Sequence, residues 1–302
     1  MSKYLITIIG PTASGKSSLA IQLAKYLQTE IISADSRQFY QELIIGTAKP
    51  SEEELKEVKH HFINSFSIKE FYTAGNFEND ALEKIKDIHQ KNDLAIMVGG
   101  SGLYINAVLF GIDPFPDIPI EVRKKAILLY KEKGLQALRD ELREKDPIYF
   151  LEVDLDNPRR LMRALEVCYA TQQPYSSLRK QKPKTRNFKS IKIAFDWKRE
   201  DLYKRIDERV HEMVKNGLIQ ECQELIPFKN LPALDTIGYK EIFDFLEGKT
   251  SKDEAIELIK RNSRRYAKRQ MTWFKKDNEI IWFKPETSLD IIIQHIREKQ
   301  FS

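Results

Sequence analysis

Gly10-Pro11-Thr12-Ala13-Ser14-Gly15-Lys16-Ser17 spells G-x-x-x-x-G-K-[ST] in full, between the apolar run Tyr4–Ile9 and a helical pattern over Ser17–Leu27. Residues of these types at this spacing bind phosphate. The glycines let successive backbone N–H groups turn inward around phosphate oxygens, and the helix N-terminus adds its positive end. Lys16 supplies a point charge for the terminal phosphates, and the Ser17 hydroxyl is a ligand for Mg2+. All eight residues, Gly10, Pro11, Thr12, Ala13, Ser14, Gly15, Lys16 and Ser17, form the expected cradle. A carboxylate at the end of a later strand usually completes such a site. Here Leu94–Val98 runs into Gly99-Gly100-Ser101 with no acid. The acid on offer is Asp35, which ends the strand-like segment Glu30–Ala34. In a doubly wound sheet the carboxyl ends of strands face the ligand crevice, so Asp35 is expected to face whatever the loop holds. Asp is also a favoured helix cap, and Asp35 precedes Ser36. Departure of pyrophosphate and phosphoryl transfer both fit a phosphate cradle beside a carboxylate, and the residues alone do not choose between them.

Such a site needs a rigid scaffold. Helical spacing over Asn76–Lys91 (Phe77, Ala81, Leu82, Ile85, Ile88) precedes a third buried run, Leu94–Val98. Strands alternating with helices predict an α/β fold, a P-loop-containing parallel sheet core flanked by helices on both faces. After Pro114, Pro116 and Pro119 the texture changes. Glu121–Lys133, Leu135–Arg143 and Arg159–Thr171 read as helices, and no strand appears before Ser190–Phe195. This pattern predicts an inserted all-helical subdomain, residues 115–189, within a P-loop core made of residues 1–114 and 190–302. Strands at Ile191–Trp197 and near Ile280–Phe283, with amphipathic helices over Leu202–Lys215 and Lys252–Phe274, are expected to complete the core.

The 302 residues are 41% hydrophobic and 31% charged, enough apolar matter for a core and too much for a disordered chain. No apolar run approaches the roughly 18 residues of a bilayer span, so no membrane contact is expected. Two cysteines, Cys168 and Cys222, lie outside any CxxC pattern, which excludes a disulfide framework and points to a reducing, cytoplasmic setting. The adjacent His60 and His61 point in different directions and have no nearby Cys or His to complete a metal site. A net charge of +5 is mild, but its distribution is not even. Arg179, Lys180, Lys182, Lys184, Arg186, Lys189 and Lys192 form one acid-free run, and Ile259–Lys276 is another. Two such runs point to a polyanionic partner.

Several further segments stand in order along the chain. They are Asp35-Ser36-Arg37-Gln38-Phe39-Tyr40, Ile45-Gly46-Thr47-Ala48-Lys49-Pro50, Val98-Gly99-Gly100-Ser101-Gly102-Leu103-Tyr104 and Asn157-Pro158-Arg159-Arg160-Leu161-Met162-Arg163-Ala164-Leu165-Glu166. Arg205-Ile206-Asp207-Glu208-Arg209, Ile237-Gly238-Tyr239-Lys240-Glu241 and Lys268-Arg269-Gln270-Met271-Thr272-Trp273-Phe274 follow. With the phosphate loop they make the chain, from about residue 4 to 283, resemble the bacterial tRNA dimethylallyltransferases, the tRNA isopentenyltransferase family. The resemblance implies transfer of the dimethylallyl group of dimethylallyl diphosphate to the exocyclic N6 amine of an adenosine. That adenosine is 3′-adjacent to the anticodon in tRNAs reading codons that begin with U. Diphosphate is released and Mg2+ is required.

By the same resemblance Asp35 is the catalytic aspartate, and Ser101 stands where the family usually carries Thr. Arg209, from the R-I-x-x-R segment, stabilises the leaving diphosphate. The tRNA contacts implied are Asp35, Ser36, Arg37 and Gln38 at the target adenine and its neighbours. Arg159, Arg160, Leu161, Met162 and Arg163 grip the anticodon loop, and Arg123 stands at the channel entrance. The Arg179–Lys192 run is expected to be a phosphate-contacting strip and Lys268-Arg269-Gln270 a second. Asn64 replaces a carboxylate common in the family, which removes any acidic role there. The enzyme is expected to act as a monomer. Three rivals share some features: an isopentenyltransferase of free adenylates, a small-molecule kinase, and an RNA-binding protein with a relic phosphate loop. The helical insertion disfavours the first, the missing acid after Leu94–Val98 the second, and the intact Lys16, Ser17 and Asp35 the third.

Overall fold

The computed structural model describes residues 2–113, 115–179 and 182–301. Strands β1 (Tyr4–Ile9), β2 (Ile31–Ser33), β3 (His60–His61), β4 (Leu94–Gly99), β5 (Lys189–Phe195) and β6 (Ile281–Phe283) form one parallel sheet in the order β3-β2-β4-β1-β5-β6. Helices α1 (Lys16–Leu27), α2 (Glu52–Glu57), α3 (Ala74–Lys91) and α4 (Gly102–Phe110) accompany the first four strands. Then α5 (Ile120–Lys145), α6 (Pro147–Glu152), α7 (Pro158–Thr171) and α8 (Tyr175–Leu178) follow one another without a strand. After β5 come α9 (Arg199–Lys215), α10 (Leu218–Leu225), α11 (Tyr239–Leu246) and α12 (Lys252–Phe274), and α13 (Leu289–Phe301) follows β6.

The central strands are buried along their whole length, which is why they read as continuous apolar runs rather than alternating ones. Successive side chains of β1 leave the sheet on opposite faces. Tyr4, Ile6 and Ile8 pack with Leu19 and Leu23 of α1 and Ile292 and Ile296 of α13. Leu5 and Ile9 pack with Phe77, Ala81 and Ile85 of α3 and Val108 of α4. Ile9 stands level with Gly99 of β4 and Ala194 of β5, so the carboxyl ends of the three central strands form one rim. On that rim Gly99 is required by close approach: a Cβ there would fall 2.5 Å from the Ala34 carbonyl oxygen. The amide of Ala34 donates to Val98 O at 2.7 Å, which fixes the exit of β2 and with it Asp35.

The chain divides into two compact units: Gly111–Lys184, and the remainder before and after it. The smaller unit has its own core, in which Leu138 and Leu142 of α5 meet Leu161, Ala164 and Leu165 of α7. Gly134 breaks α5 at φ 75°, dividing it where two separate helices are expected from the sequence. Asp146 is fully buried and fully used: it accepts from Tyr149 N at 3.0 Å, Ser176 N at 2.6 Å and Ser176 Oγ at 2.7 Å. Asn157 caps α7 and Pro158 opens it, so the N-P-R-R segment is first of all a helix start.

Two sequence expectations are corrected here. Leu161, expected among the tRNA contacts, is fully buried in the core of the smaller unit and supports α7 from behind. The Arg179–Lys192 run is not a free basic strip. Arg186 donates to Glu78 at 2.9 Å and to the carbonyls of Ala107 and Val108, Lys192 pairs with Asp277 at 2.6 Å and Glu279 at 2.8 Å, and Arg179 meets Glu152 at 2.7 Å. The run looks unpaired in the sequence because its acids come from distant segments, as a buried charge demands. Lys180 lies outside the described residues. The expected histidine pair forms β3: His61 Nε2 meets Glu30 at 2.6 Å and His60 Nδ1 meets Val58 O at 2.8 Å. Among the described residues no helix is long and apolar enough to cross a membrane.

Candidate active site

The phosphate loop runs from the end of β1 into α1, and its carbonyls are held by three side-chain donors, two of them from outside the loop. Lys16 Nζ donates to Pro11 O at 3.1 Å, Arg205 Nε to Ala13 O at 2.8 Å, and Trp197 Nε1 to Ser14 O at 2.9 Å. The Arg205 guanidinium also stacks 4.7 Å from the Trp197 ring, so these two donors brace each other. Drawing the carbonyls outward turns the intervening amides inward, which is the cradle that phosphate needs. Ala13 accepts a left-handed φ of 62° to complete the turn. No side chain caps the first turn of α1 among the described residues, leaving its amides for a ligand. Ser14 Oγ is buried without a hydrogen-bond partner among them, an orphan that a phosphate oxygen satisfies.

Lys16, Asp35 and Arg209 lie within electrostatic reach of one another at this rim. Burial pulls the Lys16 ammonium down to about 8, with Asp35 opposing that fall and Arg209 adding to it. Burial likewise lowers Arg209, against the carboxylates of Asp35 and Glu212, and its Nη2 donates to Thr47 O at 3.4 Å. Two cations thus flank one carboxylate beside an anion cradle. Asp35 Oδ1 accepts from Arg37 N at 3.0 Å, which locks its side chain against its own backbone. The exposed hydroxyl of Ser17 sits in the first turn of α1. One protein oxygen beside diphosphate oxygens suits Mg2+, an ion that binds few protein ligands and keeps water.

Ser101 follows β4 and accepts from Ser36 N at 3.3 Å, with the two hydroxyls 3.4 Å apart. The structure therefore gathers Lys16, Asp35, Ser36, Ser101 and Arg209. Arg37 and Gln38 stand beside them with their side chains engaged. The Arg37 guanidinium donates to the carbonyls of Pro232, Ala233 and Asp235, and Gln38 Nε2 donates to those of Thr47 and Ala48. Arg123, Arg159, Arg160, Met162 and Arg163 belong to the smaller unit. Arg159 and Arg160 are exposed, Arg163 meets Glu166 at 3.4 Å and lies over Phe115, and Met162 packs on the core. Arg123 is half-buried. Gln270, expected in a phosphate-contacting strip, is buried instead. It accepts from Thr12 N at 3.1 Å and donates to Gly100 O at 2.8 Å, tying the phosphate loop to the end of β4.

Sequence reasoning missed the groups that shape the rim. Arg205 could have been found, since it precedes Arg209 by four residues and so shares its helix face. Tyr239 stands in the Ile237–Glu241 segment with no role read for it, and Glu221 carries no such signal. Glu221 accepts from the amides of Ile44 at 3.1 Å, Ile45 at 2.8 Å and Gly46 at 3.2 Å, and from the Tyr239 hydroxyl at 2.5 Å. This clasp sets the turn whose Thr47 carbonyl receives Arg209. Gly46 packs flat on the buried Tyr239 ring, where a Cβ would approach to 2.5 Å. Gly46→Ala is expected to cost about 1–3 kcal/mol through overpacking. Thermal denaturation checks this, and an unaltered melting temperature would mean that the ring has room to move.

A family model described as IPP transferase matches residues 38–277. A protein named tRNA dimethylallyltransferase from Christiangramia forsetii is 50% identical over 99% of each chain. Among solved structures, the tRNA isopentenylpyrophosphate transferase of Bacillus halodurans is 37% identical with a TM-score of 0.70, covering 99% of this chain and 95% of its own. A eukaryotic dimethylallyltransferase acting on tRNA is 29% identical with a TM-score of 0.77, covering 94% of this chain and 74% of its own. Matched along nearly its whole length, with a phosphate cradle, a carboxylate and an arginine gathered on one rim, the chain belongs to the IPP transferase family.

Proposed function

We propose that this chain transfers the dimethylallyl group of dimethylallyl diphosphate to the N6 amine of the adenosine 3′-adjacent to the anticodon, in tRNAs reading codons that begin with U, releasing diphosphate. The observation that carries the reading is the convergence of Lys16, Asp35 and Arg209 on the rim that ends in the phosphate loop. The names and titles of the relatives support the same substrates.

The chemistry follows from the groups present. An adenine amine is a poor nucleophile because its lone pair is delocalised into the ring. As the N6–carbon bond forms and the allylic C–O bond breaks, the amine must lose a proton, and the Asp35 carboxylate accepts it. The C–O electron pair leaves with diphosphate. Lys16, Arg209 and the inward amides of the cradle stand where that charge accumulates. Mg2+ held by Ser17 and diphosphate oxygens would neutralise part of the same charge. Ser36 and Ser101 offer hydroxyls to the base, while Arg37 and Gln38 shape the wall through their own carbonyl partners. In the smaller unit Arg159 and Arg160, with Arg123, Met162 and Arg163, supply the contacts to the anticodon stem-loop. A base in a single-stranded loop leaves its stack at a cost of a few kcal/mol, less than from a duplex.

Mass spectrometry of tRNA nucleosides after incubation with the protein, dimethylallyl diphosphate and Mg2+ tests the reading. The expected product is adenosine bearing one dimethylallyl group at N6. An unmodified profile, or transfer to free AMP alone, would defeat it.

A further inference from the structure

The chain between β2 and α2 carries Asp35, Ser36, Arg37 and Gln38, yet it has no helix or strand from residue 34 to residue 51. Its shape therefore comes from side chains that grip it. Near one end Arg37 reaches out to the carbonyls of Pro232, Ala233 and Asp235. Near the other, Glu221 of α10 reaches in. Its Oε2 accepts from the amides of Ile44 at 3.1 Å and Ile45 at 2.8 Å, and its Oε1 from Gly46 N at 3.2 Å and the Tyr239 hydroxyl at 2.5 Å. Leu218, Cys222 and Leu225 bury the face of α10 beside Glu221 in one core with Leu43 and Tyr239, so a packed helix delivers the carboxylate. The turn it holds spends its amides on Glu221 and shows its last carbonyls to the site. Thr47 O accepts from Arg209 Nη2 at 3.4 Å and from Gln38 Nε2 at 3.3 Å, and Ala48 O accepts from Gln38 Nε2 at 3.2 Å.

Resting on the tRNA prenyl-transfer reading above, we propose that Glu221 is a positioning residue for the transfer: by holding the amides of residues 44–46 it sets the Thr47 carbonyl that aims Arg209 at the leaving diphosphate. A carboxylate offers acceptors only, and every one of these contacts comes from a donor. An amide in its place would turn an NH2 group toward one pair of donors and push the turn away on that side. The push reaches the site because the turn is tied within itself, Thr47 Oγ1 donating to Leu43 O at 2.8 Å. An arginine side chain is long and free to rotate, so its aim depends on what its far end meets. Misplacing a group in a reaction centre by ~1 Å costs up to ~10²-fold in rate. The same carbonyl also accepts from Gln38, so the clasp sets the wall on the base side together with the charge on the diphosphate side.

A double-mutant cycle on the single-turnover prenyl-transfer rate, at saturating tRNA and dimethylallyl diphosphate, tests the assignment. Glu221→Gln is expected to slow the step about tenfold in the wild-type background. In the Arg209→Lys background it should slow it no more than about threefold, because the arginine it aims is already gone. A change that only loosens the fold removes the same fraction of active enzyme in both backgrounds, so its losses multiply. Tyr239→Phe takes one donor from Glu221 and keeps the ring under Gly46. Expected to slow the step about threefold and to lose that effect beside Arg209→Lys, it decides the question if Glu221→Gln does not fold. Unaltered rates in the folded single variants, or losses that multiply in the Arg209→Lys background, overturn the proposal. Wild-type protein that fails to prenylate tRNA overturns the proposed function itself, a result distinct from either.

Discussion

Asp35→Asn is expected to lower turnover by roughly 10²–10⁴-fold while leaving tRNA affinity close to that of the wild type. The amide is the right substitution because Asp35 does two things. Its Oδ1 accepts from Arg37 N at 3.0 Å, and its charge lies beside Lys16 and Arg209. Asparagine keeps an oxygen for the first contact and loses the basicity that the second serves. Single-turnover rates and filter binding with tRNA separate the two roles. Equal losses in rate and affinity would make Asp35 a structural residue and remove the general base from the mechanism.

Lys16→Met should lower kcat/KM for dimethylallyl diphosphate by roughly 10²–10³-fold, the usual cost of one charge-stabilising donor. The pH dependence gives a second signature. Burial holds the Lys16 ammonium near 8, so the cation that attracts diphosphate is present below that pH and is lost as pH rises through it. The kcat/KM for the donor in the wild type is therefore expected to fall above about pH 8. A profile measured on free enzyme reports this group, because kcat/KM reflects unliganded protein. In Lys16→Met that alkaline limb should vanish. Its persistence would place the titrating group elsewhere.

The fold and the centre of the site were legible for a physical reason. Fully buried parallel strands must be apolar throughout, so Tyr4–Ile9 and Leu94–Val98 stand out, and a phosphate cradle needs its glycines and lysine at fixed spacing. The position of Asp35 was readable from the apolar run before it, since it stands two residues past the end of β2. What stayed hidden depends on partners far apart in the chain. Glu221 looks like any helix acid until three amides of residues 44–46 are seen around it. Gln270 sits within a basic run and reads as surface, yet it is buried between Thr12 and Gly100. Arg186 and Lys192 look like RNA contacts because Glu78 and Asp277 lie 108 and 85 residues away. The two-residue β3 is too short to show a period at all.

The outward pinning of the phosphate loop bears on how the protein is made. Residues 10–17 leave the ribosome early, but the donors that shape their carbonyls, Trp197 and Arg205, and the acceptor for Thr12 N, Gln270, are translated far later. β1 also waits for β5 to become a central strand. A nascent chain therefore carries the whole phosphate motif long before the side chains that shape its backbone have been made.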